Sequence, residues 1–372
     1  MTTFRTIPGD GARLRAIVVG AGPMGQGWLR VLSASDLIDT VGLVDLDLDA
    51  ARRVADTHDH PGLPIAASIT DLIATVAADV VINVTAPTAH HAVSTEALLA
   101  GLPVLTEKPL APTLAEGLSL AATSAHTGEL LMVSQSRRYY RRITQFRDAV
   151  RGLGRVGVVT AEFFRAPRFG GFRDEMAHPL LIDMAIHHFD AFRYLVGDEP
   201  VSVFCDEFNP AWSWYQGDAG VAATFITGRG TRFVYTGSWC SPGVNTSWNA
   251  QWRVSGEHGT ALWDGETTPT WETETVLQPV DPGAIPEEFA GSLSEFVGSL
   301  RTGTLPDGHA LGNIGSLAMV EAAIESAESG IRVSIPEVID RALSHAIDRE
   351  AHPETAKVLR RWQRDGLGDS SR

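Results

Sequence analysis

Short apolar runs alternate with helix-spaced segments through the first third of the chain. Residues 15–19, 41–45, 80–84, 103–107 and 130–135 read as strands, several of them apolar on both faces, as a sheet covered on both sides requires. Residues 24–33, 48–58, 91–100 and 113–125 read as helices between them. That alternation predicts parallel strands joined by helical crossovers, an α/β doubly wound sheet.

The pattern changes after residue 136. A basic helix over 137–151 leads into a strand at 156–164, then a Gly/Pro/Arg loop at 165–173 and a helix over 180–196. From 201 to about 276 the chain reads as antiparallel sheet. Val221, Ala223 and Phe225 alternate there with Ala222, Thr224 and Ile226, and Gly228-Arg229-Gly230 marks a turn. Helices over 287–300 and 310–329 follow, so the second region is α+β with an open sheet face. The division predicted is 1–136, 137–336 and a charged tail, 337–372, read as a solvated helix as far as Arg364.

Bulk properties narrow the function classes. At 372 residues, 44% hydrophobic and 20% charged, the chain reads as an ordinary globular protein of two domains. A formal charge of −15 argues against nucleic acid or an anionic membrane as partner. Neither a signal-peptide core at residues 1–15 nor a run near the roughly 18 apolar residues of a membrane span is present, so a cytoplasmic location is expected. Cys205 and Cys240 lack ligand-like neighbours and read as small buried hydrophobes.

The chemistry begins at the first strand. It runs into Gly20-Ala21-Gly22-Pro23-Met24-Gly25, a G-x-G-x-x-G turn opening a helix. Gly20 suits the tight turn, Gly22 lets the backbone approach a pyrophosphate, and Gly25 lets helix and strand pack closely. The phosphates would rest on amides at the helix N-terminus. Asp45 ends the second strand, where a carboxylate accepts from a ribose diol and repels a 2′-phosphate, so NAD is expected in preference to NADP.

Further candidates stand at strand ends or on one helix. Lys108, in Glu107-Lys108-Pro109, ends the fifth strand, where open α/β sheets bind ligands, and can reach a nicotinamide and a substrate hydroxyl. Thr85-Ala86-Pro87 and His90 form a loop expected along the cofactor, or simply a helix-entry turn. Asp183, His187 and Asp190, at i, i+4 and i+7, share one helix face, the pairing that abstracts a hydroxyl proton near neutral pH. His188 falls off that face and reads as structural, and no metal site is expected from the pair. Arg165, Arg168 and Arg173 flank the loop before this helix, and Trp212, Trp214, Trp239, Trp248, Trp252, Trp263 and Trp271 crowd the sheet region, read mainly as core or interface.

These motifs, with Thr85-x-Pro87-x-x-His90, Asp183-x-x-x-His187-x-x-Asp190 and Val254-Ser255-Gly256-Glu257-His258-Gly259-Thr260, resemble the Gfo/Idh/MocA family of nicotinamide-dependent oxidoreductases from about residue 13 to 335. The resemblance implies an N-terminal Rossmann domain and a C-terminal α/β domain, whose large, open, mostly antiparallel sheet forms a homodimer or homotetramer. It also implies that Lys108 and His187 are the catalytic pair and that Asp183 binds substrate or orients His187. Ala185 stands where the family commonly has glycine. Cofactor contacts are then expected from Gly20, Gly22, Pro23, Met24, Gly25, Asp45, Thr85, Pro87, His90, Glu107 and Lys108. Substrate contacts are expected from Arg168, Arg173, Asp183 and His187. The activity implied is NAD-dependent oxidation of a secondary hydroxyl in a sugar, sugar acid or cyclitol. Redox-neutral glycosidase or elimination chemistry is the alternative within the family, and a dinucleotide sensor the alternative outside catalysis.

Overall fold

The five apolar runs of the first third, with a short sixth strand not read from the sequence, pair into one parallel sheet. In the computed structural model, which describes residues 4–9, 11–58, 60–274 and 283–367, the strands are β1 (Leu14–Val19), β2 (Ile38–Val44), β3 (Ile65–Ala66), β4 (Val80–Asn83), β5 (Val104–Glu107) and β6 (Leu131–Ser134). Their order is β3-β2-β1-β4-β5-β6 and every pair is parallel. Burial on both faces explains the run of Val, Ile and Leu: Ala16, Ile17, Val18, Val80, Val81 and Ile82 are fully enclosed. The strand order reverses between β1 and β4, the point at which open α/β sheets bind ligands.

Helices α1 (Pro23–Ser33), α2 (Leu48–Thr57), α3 (Ile69–Ile73), α4 (His90–Leu99) and α5 (Leu114–Thr127) connect the strands. Local chemistry sets their starts. Asp47 accepts from the amide of Ala50 at 2.8 Å to cap α2. The Thr113 hydroxyl caps α5, accepting from the amide of Glu116 at 3.2 Å and donating to its carboxylate at 3.1 Å.

The chain forms two units: Met1–Ser136 with Pro286–Ile314 and Arg341–Arg372, and Arg137–Ile285 with Gly315–Asp340. The expected block 137–336 is therefore not one piece, because residues 286–314 return to the first unit. Phe289 packs on Trp28 with ring centroids 5.1 Å apart, and Ser134 bonds Ser292 at 3.0 Å.

The tail reading also needs correction. Its residues are helical, α10 (Ile335–Arg349) and α11 (Pro353–Asp365), but α11 is not a solvated helix. Leu359 and Thr355 are fully enclosed, Ala356 and Trp362 nearly so, and the Thr355 hydroxyl lies 3.3 Å from that of Thr123 on α5. The charges that suggested a tail occupy only the outer side.

The second unit is built on a sheet of β7 (Val156–Phe164), β8 (Pro200–Phe208), β9 (Gly220–Thr227), β10 (Arg232–Ser238), β11 (Gln251–Gly256), β12 (Gly259–Trp263), β13 (Thr270–Thr273) and β14 (Val333–Ser334). Its order is β13-β12-β11-β7-β10-β9-β8-β14, antiparallel except for β7 beside β10. Val221, Ala223 and Phe225 face inward as their alternation predicts. Helix α7 (Ile186–Val196) packs there through Phe192 on Phe233, 4.3 Å apart and stacked, and Phe189 on Phe225 at 4.8 Å. The opposite face leaves Val158, Phe204 and Leu262 exposed.

If α11 is part of the first unit's core, Leu359→Ala should cost about 2–5 kcal/mol in urea unfolding. A loss under about 0.5 kcal/mol, the range of surface substitutions, would restore the solvated-helix reading.

Candidate active site

In the first unit the glycine turn is sterically required. Gly20 has φ +111°, and a Cβ there would lie 2.8 Å from the carbonyl oxygen of Val84. A Cβ on Gly25 would overlap the carbonyl of Gly20, so helix and strand could not meet so closely. Gly22 differs: nothing lies within 4 Å of its Cβ position, and Gly22, Pro23 and Met24 are exposed. A crowded hinge beside an open backbone surface fits a dinucleotide whose diphosphate approaches Gly22. Asp45 is anchored next to it. One carboxylate oxygen accepts from the amide of Ala21 at 2.7 Å, and the other accepts from that of Asp47 at 2.9 Å.

Beyond β4 and β5 a buried polar frame places Lys108. Asn83 is fully buried, donates to the carbonyl of His90 at 3.3 Å and to Ser94 at 3.0 Å, and accepts from the Thr85 hydroxyl at 2.7 Å. The enclosed His90 ring spans two loops, with Nδ1–H donating to the Pro109 carbonyl at 2.6 Å and Nε2 3.1 Å from the Thr85 carbonyl. Burial holds its pKa below the ordinary histidine range, favouring the neutral ring.

Glu107 accepts from the Trp28 indole at 2.8 Å and from the amide of Lys108 at 3.2 Å, while burial pushes its carboxyl above the usual range. Lys108, half-exposed and joined to Pro109 by a cis peptide, projects from this frame. His90 and Glu107, expected among the cofactor contacts, thus have enclosed side chains that fix Thr85 and Lys108. Thr85 and Pro87 remain partly exposed.

In the second unit the expected regular helix over 180–196 begins instead as a π-helical turn, Leu180–Ala185, running into α7. Asp183 lies in that turn and accepts from Arg173 Nε at 2.9 Å. His187 lies in the first turn of α7, largely enclosed at 8% exposure.

Asp190 is committed to a buried pair. Its carboxylate accepts from Arg138 at 2.6 and 2.7 Å and from Ser316 at 2.7 Å, a buried fork that ties α7 down. The shared-face expectation for Asp183, His187 and Asp190 assumed regular α spacing, which holds for His187 and Asp190 within α7 but not for Asp183 in the π-helical turn. His188 is structural as expected. Its Nε2–H donates to the Trp248 carbonyl at 3.2 Å, Nδ1 is 3.1 Å from the Tyr235 hydroxyl, and burial pushes its pKa down to about 3. Arg168 lies over Trp214 at 4.0 Å and Arg165 over Trp248 at 4.2 Å. Sequence reading missed Asn83 and Arg138; a polar residue closing an apolar strand was the available signal for Asn83.

A parallel sheet of this order, with the glycine turn at its reversal point and an anchored carboxylate on the next strand, defines a nicotinamide-dinucleotide domain. Residues 14–135 match the profile described as oxidoreductase family, NAD-binding Rossmann fold, and residues 144–262 match the GFO/IDH/MocA C-terminal domain. The chain belongs to the Gfo/Idh/MocA oxidoreductase family.

It is 32% identical over 267 residues to the uncharacterized protein y4oX of Sinorhizobium fredii, covering 67% of this chain and 72% of that one. It is 31% identical over 194 residues to an inositol 2-dehydrogenase of Corynebacterium glutamicum, covering 51% of this chain and 56% of that one, so the match spans less than two thirds of that enzyme. An oxidoreductase from Agrobacterium radiobacter, solved with NAD+, L-tartaric acid and magnesium, has the same fold, with TM-score 0.77 and 18% identity over 87% of this chain and 99% of that one. Among the described residues no helix is long and apolar enough to cross a membrane and no His/Cys/Asp/Glu group is arranged to hold a metal.

Asp45→Asn, which keeps an acceptor for Ala21 but loses the charge and the acceptor for the Asp47 amide, should weaken NADH binding by about 10-fold and raise NADPH affinity relative to NADH, read by fluorescence titration. An unchanged NADH to NADPH ratio would remove Asp45 from cofactor choice.

Proposed function

We propose that this protein oxidises a secondary hydroxyl of a sugar, sugar acid or cyclitol, or reduces the matching ketone, using NAD. The observation that carries the reading is the buried Asn83–His90–Glu107 frame, which spends polar groups on fixing one partly exposed lysine at the carboxyl end of β5. The inositol 2-dehydrogenase relative supports the substrate class.

Bound NAD supplies a hydride acceptor. The chain's own residues would do the rest. As the carbinol C–H bond breaks and the C=O bond forms, the hydroxyl proton passes to a ring nitrogen of His187, the general base. The Lys108 ammonium donates to the reacting oxygen and stabilises the charge developing on it. Asp183, oriented by Arg173, accepts from a neighbouring substrate hydroxyl. Gly22 and Asp45 hold the nucleotide.

Lys108→Ala and His187→Ala should each lower the rate of nicotinamide absorbance change by about 100-fold or more, with NADH affinity within threefold of the parent. Full turnover in either variant would refute the assignment, and sugar released without net reduction of NAD would mean redox-neutral chemistry instead.

The exposed face of the second unit's sheet, with Val158, Phe204 and Leu262, is the surface through which copies of the chain would associate. Light scattering should find a dimer or tetramer that Phe204→Glu with Leu262→Glu dissociates. A monomeric parent would exclude this.

A further inference from the structure

The loop before the Asp183 turn carries cations without counter-charges. Arg165 lies 4.2 Å over the Trp248 ring and Arg168 lies 4.0 Å over Trp214. Indole stacking holds a guanidinium in place but does not neutralise it. Neither arginine forms an ion pair among the described residues, and Nη1 of Arg165 is buried with no hydrogen-bond acceptor. Arg173, by contrast, has its charge met by Asp183 at 2.9 Å.

Arg165 and Arg173 belong to one continuous aromatic surface, while Arg168 stacks separately on Trp214. Arg173 lies 5.4 Å from the Phe169 ring centre, and Phe169 stacks at 6.4 Å on Trp248, the ring that Arg165 also covers. The Trp248 carbonyl accepts from His188, the neighbour of His187. Phe169 and Phe172 are more than half exposed, an apolar rim beside Arg173.

The part-buried Arg165 guanidinium, lacking both acceptor and counter-ion, is costly to keep, whereas Arg168 is exposed and water can meet its charge. Rigid stacking also removes much of the entropy that a salt bridge to a flexible side chain would lose. We infer that the substrate supplies the missing charge: it is a polyhydroxylated compound bearing an oxyanion, a carboxylate or a phosphate ester, received by Arg165 and Arg168. Neutral polyols, which would leave the Arg165 charge unmet, are then the poorer ligands. The inference rests on the polyol-oxidoreductase reading above and narrows it to acidic members of that class.

Calorimetric titration of the full chain loaded with NADH tests it through binding, independently of turnover. D-gluconate, D-glucuronate and glucose 6-phosphate are compared with D-glucose and myo-inositol. At least one acid should bind about 10-fold or more tightly than the neutral compounds, and the better of the carboxylate and phosphate arms identifies the anion.

Arg165→Gln and Arg168→Gln should each reduce that preference by about 10-fold, and Arg165→Lys, which keeps the charge but not the fork, should fall between. Unchanged NADH affinity shows that each variant is folded. Neutral compounds binding as well as the acids, no acid binding at all, or a preference indifferent to both glutamine variants would overturn the inference. Arginine-dependent binding of an acid without any nicotinamide absorbance change would overturn the dehydrogenase reading and leave this one standing. Efficient oxidation of a neutral polyol in preference to its acid would do the reverse.

Discussion

Polar side chains buried at the carboxyl ends of β4 and β5 are the constraint on which the first unit's chemistry depends. A buried polar group without a partner costs about 1–3 kcal/mol, so Asn83, His90 and Glu107 can be enclosed only where their partners are fixed. Those partners are the backbone and hydroxyl of Thr85, the carbonyl of Pro109, the indole of Trp28 and the amide of Lys108. The network therefore stabilises one arrangement of the two loops. Lys108 is placed by groups that lie behind it.

The second unit uses the same device with full charges. The Arg138–Asp190 pair, both members under a tenth exposed, anchors α7 two turns or less beyond the π-helical turn that carries Asp183. Breaking such a pair by removing one partner costs about 3–5 kcal/mol, since a lone buried charge is left. Asp190 thus belongs to the support of the site. Arg173 on Asp183 is more exposed and correspondingly weaker.

Much of this was legible in the sequence because local patterns determine it. The β-branched run into Gly20, Gly22 and Gly25 encodes a strand, a turn and a helix start within a dozen residues, and Val221 to Ile226 encodes a strand with one buried face. What was not legible depends on distant partners. Asp190 had the right spacing for catalysis, but its commitment to Arg138 arises only when α7 meets the segment before α6 (Arg141–Arg151). Charged positions on α11 suggested a solvated helix, whereas Leu359 and Trp362 find their burial on the first unit. His90 looked like a cofactor ligand because its position after Thr85 and Pro87 says nothing about Pro109, nineteen residues away, whose carbonyl its ring meets.

The central claim is that these two supported sets of residues serve hydride transfer from a carbinol carbon. The most direct measurement follows a deuterium placed on the reacting carbon of whichever polyol turns over, with NAD present and the label traced by NMR. The account predicts deuterium on C4 of the reduced nicotinamide, with none exchanged into water. Label lost to solvent, or kept in a rearranged product while NAD is unchanged, would contradict it.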